Sequence, residues 1–117
     1  MTAKSLQKLG LTATHGRKTD ADISGICVDS RSCKTGDLFA AMPGSAVHGG
    51  AFVQYAVRMG AAAILTDAEG LDIALKDVGE ISIPVVVSDD PRRALALAAA
   101  RFFGAQPATM VAVTGTN

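Results

Sequence analysis

Short apolar runs, each closed by glycine, proline or aspartate, recur along this chain between stretches of helical periodicity. The sharpest is Pro84-Val85-Val86-Val87, bounded by Ser88-Asp89-Asp90. Residues 61–66 and 38–42 are of the same kind, and 110–113 adds one more near the C-terminus. A run that is apolar at successive positions belongs to a fully buried strand rather than to one with a wet face. Residues 23–28 alternate weakly and are expected to form another strand. Between these runs, Phe52, Tyr55, Ala56 and Met59 fall at i, i+3, i+4 and i+7, predicting a helix that buries this face and stops at Gly60. Asp90-Pro91 is a helix start, with aspartate as N-cap and proline at the first helical position. Leu95, Ala98, Ala99 and Phe102 mark the buried face of that helix, and Gly104 ends it. Residues 5–11 predict a short helix ending at Gly10, 12–22 a loop, and 67–80 an ambiguous segment with a helical turn around Ala74 and Leu75. Strands alternating with helices imply an α/β fold, a small sheet with helices packed on it.

The chain has 117 residues, the size of one domain, and is 49% hydrophobic and 19% charged, enough to bury a core. With aromatics at 4%, the core must be built from Ala, Val, Ile and Leu. Eleven Lys and Arg balance eleven Asp and Glu, so no nucleic-acid partner is suggested and an anionic ligand must be held by local donors. No apolar stretch is long enough to span a bilayer, and the opening residues lack the apolar run of a signal peptide. A reducing cytoplasm is the expected compartment. Cys27 and Cys33, in a C-x5-C spacing that matches no usual zinc or redox motif, are expected as small, semi-buried hydrophobes. His15 and His48 are the two histidines, and no Ser/His/Asp set, metal cluster or carboxylate pair can be assembled. His48 reads as a surface loop residue.

Three segments could carry chemistry. Val28-Asp29-Ser30-Arg31 follows a strand, where open α/β sheets place ligands; Ser30 offers a hydroxyl and Arg31 a phosphate fork. The alternative is a plain Asx-type turn. The loop of residues 43–50 leaves a strand and enters a helix, and its small residues expose N–H groups suited to an anion. Finally, the strand running into Thr114-Gly115-Thr116-Asn117 is similar to the first half of a phosphate loop, which needs glycines so that backbone N–H groups can turn inward. An ordinary turn after a strand is the alternative.

In order and spacing these pieces resemble the Mur ligases, most of all the MurE branch. The matching text is Val28-Asp29-Ser30-Arg31, TGDLFAAMPG at 35–44, GGAFV at 49–53 and GAAAIL at 60–65. It continues with PVVVSDDPRRALALAAARFFGAQP at 84–107 and VAVTGTN at 111–117. The resemblance implies a UDP-sugar-binding domain over residues 1–107, followed at 108–117 by the first strand and the opening of a phosphate loop. That loop should continue into Gly-Lys-Thr within a central ATP-binding domain. It implies an ATP- and Mg2+-dependent ligase that adds the third amino acid, meso-diaminopimelate or lysine, to UDP-N-acetylmuramoyl-L-alanyl-D-glutamate in cell-wall peptidoglycan synthesis. Val28, Ser30, Ser45, Ala46 and Val47 match substrate-binding positions, and Gly115, Thr116 and Asn117 match the start of the ATP loop. No catalytic or metal-binding residue and no cofactor are expected within this stretch, whose partners would be that UDP-linked substrate and the remaining domains of the same protein. A MurF-type ligase domain and a non-catalytic α/β ligand-binding module are the alternatives. One departure stands out: the family usually has Asp-Gly-His/Arg where this chain has His48-Gly49-Gly50. Lacking the Lys and hydroxyl that hold the terminal phosphates, the chain should bind ATP more weakly than about 1 mM, equivalent to roughly 4 kcal/mol. Micromolar ATP binding in calorimetry would contradict this.

Overall fold

A computed structural model describes residues 4–16, 21–44 and 47–103. The expected strand at 110–113 and the turn that follows it lie outside these residues. Seven strands are present among those described: β1 (Lys4–Ser5), β2 (His15–Gly16), β3 (Asp22–Ile23), β4 (Gly25–Cys27), β5 (Asp37–Ala40), β6 (Ala63–Thr66) and β7 (Pro84–Val87). Three α-helices accompany them: α1 (Val53–Arg58), α2 (Ala68–Val78) and α3 (Pro91–Phe102). The main sheet has the order β2-β7-β6-β5-β4, with β4 to β7 mutually parallel and β2 antiparallel to β7. The expected α/β fold is therefore present.

Why the strands are apolar throughout is clear from their alternation. Phe39, Ile64 and Val85 point into a core closed by α1 and α2, where Val53, Ala56 and Ala74 meet them. Leu38, Ala63, Leu65 and Val86 point the other way, into a core closed by Ala98 and Phe102 of α3 and by Leu6 and Leu9 of the N-terminal 3-10 turn. Helices thus cover both faces, and a strand with no wet face must be apolar at every position. Because the core side chains are small, turns must approach closely. Gly60, at φ +98°, ends α1 with its would-be Cβ 3.0 Å from the Thr35 backbone, a conformation and a clearance that suit only glycine.

Several local expectations are corrected. Residues 12–22 are not a plain loop: His15–Gly16 adds an edge strand to β7. The run at 23–28 is two strands, since β3 pairs with β1 in a small separate sheet while β4 joins the main one. Residues 67–80 contain an eleven-residue helix, α2, capped by the Asp67 side chain, which accepts from the Gly70 N–H. In α1 the buried face is Val53 and Ala56, whereas Phe52, Tyr55 and Met59 are exposed. Both stripes are apolar, so periodicity could not choose between them. Cys27 and Cys33, expected semi-buried, are buried and joined as a disulfide, with Cα atoms 5.6 Å apart. Helix α3 begins as predicted, with Asp90 accepting from the Arg93 N–H and Pro91 at the first position.

Central strand β6 is buried along its length, and Ile64 is fully enclosed. Ile64→Ala should cost about 2–5 kcal/mol of stability, because the cavity cannot collapse between sheet and helices. Chemical denaturation of the two chains measures it.

Candidate functional site

Parallel strands share one C-terminal edge, and the segments leaving β4, β5 and β6 all start there. The segment after β4 is the tightest. Asp29 caps a 3-10 turn, Ser30–Ser32, by accepting from the Arg31 N–H at 2.9 Å, and the Cys27–Cys33 disulfide bridges the two ends of the turn. The turn buries Ser30, at 6% exposure, and leaves Val28 open to solvent.

The segment after β5 folds back along the same edge. Its Gly49 N–H donates to Met42 O at 2.8 Å, and a 3-10 turn, Gly49–Phe52, runs directly into α1. Beneath it, the buried Thr66 hydroxyl donates to Ala41 O at 2.8 Å, holding the ends of β5 and β6 together. At its far side the Arg92 guanidinium donates to Pro43 O, so α3 also anchors this segment.

Between the two segments lies an open groove of about 750 Å3. Its floor is Phe39 and Met42; Val28, Ser30 and Arg31 form one wall, and Val47, Phe52 and Tyr55 the other. Val47, Phe52 and Tyr55 are 52%, 45% and 45% exposed, an apolar surface lining a concavity rather than scattered over a convex face. A groove with an apolar floor and a few polar groups at one end is suited to a ligand with a flat ring and a polar or anionic extension.

Arg31 is not a free fork. Its Nε and Nη2 donate to the two carboxylate oxygens of Asp29 at 3.2 and 3.0 Å. The guanidinium holds the Asp29 carboxyl below its ordinary range, and the Asp29 carboxylate in turn pushes Arg31 upward. The pair is exposed, so its effect is on orientation more than on stability. Asp67 also titrates low: burial alone would raise its pKa, but the Gly70 N–H and the His48 ring outweigh that effect. The lowered carboxyl makes its contribution above the ordinary aspartate range and loses it as the pH falls through the folded value.

Of the residues expected to bind substrate, Val28, Ser30 and Val47 are brought together around one groove. Ser45 and Ala46 lie outside the described residues, as do Gly115, Thr116 and Asn117. Phe52 and Tyr55 were expected in the core; their stripe faces the groove instead. The expected surface histidine, His48, is half-buried: its side chain is 6% exposed and bonded on both ring nitrogens. Among the described residues no helix is long and apolar enough to cross a membrane.

Residues 22–103 match the family described as "Mur ligase family, catalytic domain". Among curated proteins, a UDP-N-acetylmuramoyl-L-alanyl-D-glutamate--2,6-diaminopimelate ligase of Caulobacter vibrioides is 54% identical over 99 residues, covering 85% of this chain and 19% of that protein. A ligase of the same name from Streptomyces coelicolor is 38% identical over 117 residues, covering 98% of this chain and 22% of that protein. The chain therefore spans about a fifth of the length of these relatives. Among solved structures, crystal structure II of MurF from Acinetobacter baumannii aligns with a TM-score of 0.59 at 22% identity, over 86% of this chain and 21% of that one. That likeness is one of fold.

Replacing Arg31 with alanine removes the partner that lowers the Asp29 carboxyl. Its titration midpoint, followed by carboxyl 13C shifts, should rise toward the ordinary aspartate range, held back by the backbone N–H at position 31 that alanine keeps; an unmoved midpoint would show that the pairing does not persist in solution.

Proposed function

Because the chain belongs to the Mur ligase family, we propose that it is the part of a MurE-type ligase that holds the uridine diphosphate end of UDP-N-acetylmuramoyl-L-alanyl-D-glutamate. The observation that carries this reading is the convergence of Val28, Ser30 and Val47 on one groove at the C-terminal edge of the parallel strands. Open α/β sheets gather their ligands at that edge. The Phe39 and Met42 floor and the Phe52 and Tyr55 wall offer the uracil ring an apolar seat. Ser30 and the backbone of residues 45–47 would offer donors and acceptors to the uracil edge.

The whole protein would add 2,6-diaminopimelate to the glutamate carboxylate. Support for this branch comes from the relatives' names, at 38–54% identity. The MurF structures, at 22–23% identity, share the fold without favouring either branch. Residues 1–107 would form the substrate-binding unit and 108–117 the entry to the ATP-binding domain, where Gly115, Thr116 and Asn117 would begin the phosphate loop. ATP with Mg2+, bound beyond this stretch, would supply the phosphoryl group that activates the carboxylate. This chain's own residues bind and orient the nucleotide end and take no part in bond making. The cytoplasm, where such a substrate is assembled, is the compartment of this reading; in its reducing environment Cys27 and Cys33 would stand as two buried thiols.

UDP titrated into the labelled chain should shift the amides of Val28, Ser30 and Val47 and the ring signals of Phe52 and Tyr55. Ser30→Ala should weaken binding by up to roughly tenfold, the loss of one hydrogen bond. Shifts confined to other regions, with Ser30→Ala indistinguishable from the parent chain, would remove the site assignment.

A further inference from the structure

The segment between β5 and α1 carries His48, and both of its ring nitrogens are bonded. His48 caps the 3-10 turn Gly49–Phe52: its Nδ1 accepts the Gly50 N–H at 2.8 Å. Its Nε2 lies 2.8 Å from Asp67 Oδ1, an oxygen that also accepts the Gly70 N–H at the start of α2. A nitrogen that accepts a backbone N–H carries no proton of its own. The proton of the neutral ring must therefore sit on Nε2, where it donates to the carboxylate. One side chain thus joins the segment after β5 to the N-terminus of the helix after β6.

Gly70 makes room for this ring, and Gly50 and Gly49 let the turn press against Gly70 and Met42. A Cβ on Gly70 would lie 2.6 Å from His48 Cε1, and a Cβ on Gly50 would lie 2.6 Å from Gly70 O. A Cβ on Gly49 would press within 2.8 Å of the Met42 backbone nitrogen. His48, Gly50 and Gly70 are packed together: the imidazole and the Thr66 side chain occupy the space a side chain at 70 would fill, and the Gly70 backbone occupies the space a side chain at 50 would fill.

We propose that His48 is the positioning residue of the groove. As the neutral, Nε2-protonated ring it fastens the segment after β5 to α2, and so sets where Val47 and Phe52 stand in the groove wall. The groove residues flank it directly: Val47 precedes His48, and Phe52 ends the turn that His48 caps. Its bearing on ligand affinity rests on the reading of the groove as a UDP site.

Two variants separate the two bonds. His48→Asn keeps an acceptor near the Nδ1 position, able to cap Gly50, but cannot reach Asp67. His48→Gln keeps a donor near the Nε2 position for Asp67 but loses the cap. In the parent chain, imidazole 15N shifts should show Nδ1 unprotonated and Nε2 protonated. Each variant should move the Val47 and Phe52 resonances and weaken UDP binding by about three- to tenfold. A protonated Nδ1, or either variant matching the parent in those resonances and in UDP affinity, would overturn the proposal. If the parent chain fails to bind UDP, the functional reading falls. The imidazole 15N pattern and the Val47 and Phe52 resonances of the variants then decide the positioning role by themselves.

Discussion

Burial of a parallel sheet on both faces is the constraint from which the rest of this molecule follows. Strands β4 to β7 can be parallel only if each connection crosses from one edge of the sheet to the other. The crossovers after β5 and β6 lay α1 and α2 on one face, and α3 closes the other. The cost is that no strand position can be polar without a partner. Thr66, the fully buried polar residue at the end of β6, meets this by donating to Ala41 O. The gain is that several strand ends lie on one edge, so segments far apart in the chain leave from adjacent points.

The groove is a consequence of that edge. The segment after β4 is held short by the Asp29 cap, while the one after β5 is longer and must be tied down elsewhere. It is tied at three places: Gly49 to Met42, Arg92 to Pro43, and His48 to Asp67. The first closes the segment on itself, and the other two reach α3 and the N-cap of α2. A cleft between one rigid turn and one strapped segment can keep an apolar wall facing water without collapsing onto it. This is why Phe52 and Tyr55 stay exposed in a protein with so few aromatic residues.

How much of this was legible in the sequence depended on how local the governing physics is. The Asp90-Pro91 helix start and the strands around Val85 and Ile64 rest on caps, proline geometry and unbroken apolar runs, and all three are where the sequence puts them. Residues 12–22 hid an edge strand because two residues pairing with β7 leave no periodic mark. Helix α1 presented two apolar stripes, and the chain carries no local sign of which one faces the sheet. For the site, strand-end position and motif order pointed to Val28, Ser30 and Val47, and these converge. They could not point to Phe39, Met42, Phe52 or Tyr55, whose role depends on which faces meet across the groove.

The sequence by itself determined the class of fold, the membership of the family and the strand ends beside which the groove lies. It could do so because turn chemistry, capping and buried-strand composition act over a few residues at a time. Tertiary structure alone decided that His48 has its ring sheltered and bonded at both nitrogens, that Arg31 already holds Asp29, and that the exposed stripe of α1 forms a wall. Each of these depends on distance through space. His48 and Asp67 are 19 residues apart along the chain and meet only because β5 and β6 lie side by side, with their C-terminal ends at the same edge.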